Sequence, residues 1–132
     1  DSAEKSNWKD SITITLPERG EKEYKLQVAK GATFSYSWKT EQGVLFYDFH
    51  GEPKGDTTGS FETFKKAMAE EASGSLTTTF EGTHGWYWKN YSADLITITL
   101  NVKGDYKLMD VKKDTQVQTT EEPTLPKRET IN

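Results

Sequence analysis

Short runs in which every second residue is apolar constrain this chain more than any other feature. Ile12, Ile14 and Leu16 alternate with Thr13 and Thr15 before Pro17 and Gly20 close the run. Tyr24, Leu26 and Val28 alternate with Lys25 and Gln27, and Phe34, Tyr36 and Trp38 alternate with Ser35 and Ser37. Leu76, Thr78 and Phe80 repeat the pattern, as do Trp86 and Trp88, then Ile96, Ile98, Leu100 and Val102, with Tyr106 and Leu108 following Gly104. Successive side chains of a strand point to opposite faces, so each run is a strand with one dry face and one wet face. About eight such strands, separated by frequent turn residues, predict an all-β, antiparallel β-sandwich. The stretch "GVLFYDFHGEP" (43–53) departs from the alternation with apolar residues at both parities. That predicts a central strand covered on both sides, or one flanked by a loop.

One segment breaks the β pattern. In "SFETFKKAMAEEA" (60–72), Phe61, Phe64 and Met68 fall at i, i+3 and i+7 with Ala67 beside them. Ser60 can cap the N-terminus and Ser73-Gly74 can end the segment, so the spacing predicts one short helix. Residues 1–10 are a polar lead-in apart from Trp8, and the sandwich is expected over 11–111. From Lys112 onward "KKDTQVQTTEEPTLPKRETIN" has no aromatic residue and cannot bury enough surface to offset its ordering entropy. The expectation for 112–132 is a polar, flexible tail. Such a tail accounts for part of the low hydrophobic content, 33% of the 132 residues. "ITITL" occurs at both 12–16 and 96–100 without a longer repeat around it, which is shared strand chemistry rather than duplication.

Several function classes are excluded by composition. A net charge of −4 with mixed signs is no footprint for nucleic acid or for a polybasic membrane patch. With no cysteine there is no disulfide framework, thiolate-bound zinc, thiol nucleophile or blue-copper centre. No serine sits in a G-x-S-x-G elbow, and no glycine-rich phosphate loop follows a strand. No run approaches the ~18 apolar residues of a membrane helix. The first residue is Asp1 rather than Met, from which an N-terminal segment removed by processing or design is expected.

Two stretches carry chemistry. Asp48, His50 and Glu52 recur at period two, so on a strand they share one face at about 6–7 Å spacing. With His84, the only other histidine, they make an oxygen and nitrogen set suited to a divalent transition metal such as zinc, manganese or iron. A plainer reading has both imidazoles hydrogen-bonded at strand ends, each with a following glycine that turns the chain. In "EGTHGWYWKNYS" (81–92), Trp86 and Trp88 share a face suited to a core. Alternatively Trp86, Tyr87, Trp88 and Tyr91, with Tyr47 and His84, form a ligand-binding surface whose exposed rings stack on a sugar.

The blocks "YDFHGEP" (47–53) and "FEGTHGWYWKN" (80–90) resemble a family of small bacterial envelope proteins described as transmembrane anchor proteins. The matching positions are Tyr47, Asp48, His50, Gly51, Glu52, Pro53, Gly74, Phe80, Gly82, His84, Gly85, Trp86, Tyr87, Trp88 and Asn90, within a likeness over about 11–108. A looser similarity, in the aromatic-then-strand ending, is to GOLD-type or jelly-roll sandwiches. The resemblance implies a periplasmic or otherwise extracytoplasmic β-domain held to the membrane by an N-terminal helix outside this chain, and it implies no particular activity. The function expected is non-enzymatic binding or sensing of a protein or small-molecule ligand. A metal-binding or metalloenzyme domain using His50 and His84, and a carbohydrate-binding module, are the alternatives.

Overall fold

A computed structural model describes residues 7–59, 61–109 and, for the backbone, 115–119. Most of the alternating runs become strands, although the Leu76, Thr78, Phe80 run does not, since Thr78 and Phe80 lie past the end of its strand. The elements are β1 (Asp10–Leu16), β2 (Glu21–Val28), β3 (Thr33–Thr40), β4 (Leu45–Pro53), β5 (Glu62–Ala69), β6 (Glu71–Thr77), β7 (Gly82–Lys89), β8 (Ile96–Gly104), β9 (Lys107–Leu108) and β10 (Thr115–Thr119). They form two five-stranded sheets, ordered β10-β1-β8-β3-β6 and β5-β4-β7-β2-β9. Every pairing is antiparallel. The β-sandwich expected from the alternation is therefore the fold.

The two inner faces meet in a core dominated by rings. Trp38, Trp86 and Trp88 are fully buried, as are Ile12, Ile14, Ile98 and Leu100. Trp38 meets Trp88 edge-on at 5.7 Å, and Phe49 stacks on Trp86 at 5.2 Å and 11°. Offset-stacked and edge-to-face pairs of this kind add to the stabilisation from burial alone. β4 lies between β5 and β7, with Leu45, Tyr47 and Phe49 inward, as its apolar character predicts for an interior strand.

The helix expected over 60–72 is absent; β5 and β6 occupy that stretch, and only Glu70 separates them. Of the residues that suggested the helix, Phe61 and Met68 are exposed, and Phe64 turns inward for a local reason. β5 pairs Lys65 with Phe49 but Thr63 with His50, so Phe64 is an extra residue in a β-bulge. A bulge breaks period two locally and re-aims a side chain. Phe64 turns inward onto Phe49 at 5.3 Å, and Ala67 and Ala69 follow it against the core. Pairing with β4 overrides the helical propensity of the Lys-, Ala- and Met-containing segment.

The range expected as a flexible tail includes β10, whose five residues pair with β1 from Ile14↔Thr115 to Asp10↔Thr119. The rest of 112–132, and residues 1–6 of the lead-in, lie outside the described residues. Among the described residues, no helix is long and apolar enough to cross a membrane.

Candidate functional site

Register between β4 and β7 decides where each candidate residue points. Tyr47 pairs with Trp88, Phe49 with Trp86 and Gly51 with His84 on the inner face. On the outer face Asp48 pairs with Tyr87, His50 with Gly85 and Glu52 with Thr83. The two histidine segments are thus neighbours, yet the imidazoles lie on opposite sides of one sheet. No single metal ion can take both.

His84 belongs to the core. It is fully buried, with Phe80 stacked at 4.8 Å and Phe64 parallel to it at 6.0 Å. Its Nδ1 lies 3.3 Å from the Gly82 carbonyl oxygen, and Nε2 has no hydrogen-bond partner. Burial pushes its pKa below the ordinary histidine value, against an opposing pull from the Gly82 carbonyl. His84 is therefore a neutral ring of the aromatic wall. Gly51 makes room for it: a Cβ there would lie 2.7 Å from His84 Cδ2 and 3.0 Å from Phe80.

His50 sits in a charged cluster on the outer face. Its Nε2 is 3.2 Å from Glu23 Oε2, and its Nδ1 faces the Asp48 carbonyl oxygen at 3.1 Å and carboxylate at 3.4 Å. The hydrogen bond to Glu23 raises the His50 pKa above the ordinary value, and partial burial opposes it. In turn the hydrogen bond from His50 lowers the Glu23 pKa, with Lys25 adding to the effect. Lys25 Nζ lies 3.1 Å from Glu52 and 3.7 Å from Glu23, and Thr63 donates to Asp48 at 3.2 Å. Phe61 packs against the His50 ring at 5.0 Å. The cluster reaches from β4 to β2 across β7, where Gly85 stands beside both His50 and Lys25 and puts no side chain between them.

Neither glycine that follows a histidine makes the turn expected of it. Both are mid-strand positions: Gly51 leaves room for His84 inside the sandwich, and Gly85 lets β7 lie close against β2, where a Cβ would collide with the Tyr24 carbonyl oxygen. Of the residues proposed as a stacking surface, Tyr47, His84, Trp86 and Trp88 are buried. Trp86 and Trp88 are nearly coplanar at 9°, but inside the core, where they offer no face to a sugar. Tyr87 faces outward, edge-on to Phe46 and hydrogen-bonded to Glu21, which pushes its phenol up to about 12. Tyr91 is exposed beside Lys89, past the strand end. Among the described residues, the group that brings ligand atoms within 4.8 Å of one another is Glu23, His50 and Glu52.

Asp48, His50 and Glu52 were legible as one face from their spacing, whereas Glu23 and Lys25 were not found. The alternation of Glu23, Lys25 and Gln27 with Tyr24, Leu26 and Val28 marks them as outward. It carries no sign that β2 lies one strand beyond β7.

No protein-family model matches the chain, and no curated protein matches it in sequence. Solved structures do resemble it. A mitogen derived from Yersinia pseudotuberculosis superposes with a TM-score of 0.54 at 13% identity, covering 83% of this chain and 95% of its own. A periplasmic inhibitor of g-type lysozyme from Aeromonas hydrophila reaches a TM-score of 0.48 at 14% identity, covering 76% and 90%. At these identities the mitogen likeness concerns the sandwich fold alone.

Proposed function

We propose that this chain is a non-enzymatic binding domain whose recognition surface is the outer face of the β5-β4-β7-β2-β9 sheet. The observation that carries the reading is the network joining Glu23, Lys25, Asp48, His50 and Glu52 across three strands. Glu23, Lys25 and Glu52 reach solvent around a largely covered His50, and the groups hold one another in place, an arrangement that preorganises a surface. Tyr87, Phe46 and Phe61 border the network. Aromatic side chains are enriched at protein-binding surfaces and supply many of their anchors. The resemblance of the "HGEP" and "HGWYW" blocks to envelope anchor proteins supports an extracytoplasmic setting, with the domain tethered to a bacterial membrane.

The test compares the two outer faces. A photo-cross-linking residue is placed at Tyr87 on this face, and separately at Lys39 on the outer face of the β10-β1-β8-β3-β6 sheet. Cross-linking is then triggered in intact source cells. A discrete adduct from position 87 and none from 39 is expected. Adducts from 39 alone would remove this face from consideration.

A further inference from the structure

We propose that Glu23, His50 and Glu52 form a site for a divalent first-row transition ion, with zinc as its probe, and that the Lys25 ammonium is its built-in competitor. The inference uses the face assigned above and adds the chemical class of ligand it takes.

Three features carry it. The first is the ligand set itself. One imidazole nitrogen and two carboxylates converge from β2 and β4, their ligand atoms all within 4.8 Å of one another. Zinc bonds of about 2.0–2.2 Å at tetrahedral angles separate ligand atoms by roughly 3.4 Å. Closing that gap calls for rotation of Glu23 and Glu52, whose side chains are 43% and 40% exposed, and for release of the Lys25 ammonium that they hold.

The second feature is the orientation of His50. Its ring is 8% exposed and its Nδ1 is held against the Asp48 carbonyl and carboxylate. A ring whose Nδ1–H donates to such a partner presents its Nε2 lone pair in a fixed direction, as metal-ligating histidines do. Here that direction is toward Glu23. Asp48 is accordingly a positioning residue, and a metal takes the place of the proton that His50 and Glu23 otherwise share.

The third feature is Lys25. Its ammonium bridges Glu52 at 3.1 Å and Glu23 at 3.7 Å, so the two carboxylates already hold a monovalent cation between them. A divalent ion gains the same two carboxylates together with a coordinate bond from the imidazole nitrogen. The lysine stem is long enough to release its head to solvent. Glu52 also borders a cleft of about 290 Å³ lined by Gln27, Pro53, Lys54, Gly82 and Thr83, which offers solvent or a ligand group a way to complete the coordination.

The experiment is calorimetric titration of the full chain, without a histidine tag, with zinc alone. It is repeated on Lys25→Met, Glu23→Gln and His50→Gln, each checked for a cooperative melt. The wild-type protein should bind one zinc. Lys25→Met should tighten binding by about tenfold or more, and Glu23→Gln and His50→Gln should weaken it by about tenfold or more, the scale on which metal-site substitutions act. In NMR spectra the His50 Nε2 resonance should move on zinc addition while His84 stays in place. Zinc affinity unchanged in Glu23→Gln, a perturbed His84, or no tightening in Lys25→Met would each overturn the proposal. Absence of zinc binding with the Tyr87 cross-link intact would overturn the ion site and leave the binding face standing.

Discussion

Trp88 has no solvent exposure and sits between Trp38 at 5.7 Å and Trp86 at 6.1 Å. Truncating it removes dispersion contacts on both sides and leaves a cavity that rigid neighbouring rings cannot fill. Trp88→Ala should cost about 3–5 kcal/mol of stability, measured by chemical denaturation. A variant as stable as the parent would place the ring outside the core. The burial of Trp88 was legible because parity within a strand is a local property, written in Trp86, Tyr87 and Trp88 themselves. The same parity correctly grouped Asp48, His50 and Glu52. It could not disclose Glu23, since the contact to His50 depends on which strands are neighbours. Nor could it show that His84 and His50 face opposite ways, because their relative parity is set by the β4–β7 register.

β5 is where local pattern and tertiary structure disagree most. Phe64 enters the core only because the bulge opposite Phe49 and His50 inserts it, and the resulting spacing from Phe64 to Ala67 imitates one helical turn. An edge strand and a helix protect their amides differently. In β5, the sheet's edge, amide groups alternate between pointing at β4 and pointing away from it. A helix would protect consecutive amides. Native-state hydrogen exchange should therefore show alternating protection along 62–69, with the alternation interrupted at Phe64. Uninterrupted protection over the segment would favour the helix instead. The strands with strict alternation, β1, β3 and β8, posed no such difficulty, because each buries one face and carries no bulge.

Across the whole molecule the two outer faces differ in chemistry. One carries hydroxyl pairs between strands, Thr33 with Thr77 and Ser35 with Ser75, both at 2.7 Å. The other carries the His50 cluster, which ties β4 to β2 over β7 and makes stability depend on pH. Because the folded His50 pKa is raised, its contribution is fully present below the unfolded histidine value, about 6.5, and is lost as pH rises through the folded value. Because the folded Glu23 pKa is lowered, its contribution is present above the unfolded carboxylate value, about 4.3, and is lost as pH falls through the folded value. The pair therefore acts in full between those two unfolded values. His84 works in the opposite sense, since its depressed pKa makes acid destabilising as pH drops below about 6.5. A single melting curve mixes the two histidines. The difference between wild type and Glu23→Gln, measured in a chelating buffer, removes the His84 contribution because both proteins carry it. That difference in melting midpoint should be largest between about pH 4.3 and 6.5 and should shrink above it, leaving the smaller Lys25 contribution. A difference that stays constant from pH 5 to 9 would mean that Glu23 meets only Lys25, and that the clasp across Gly85 does not form.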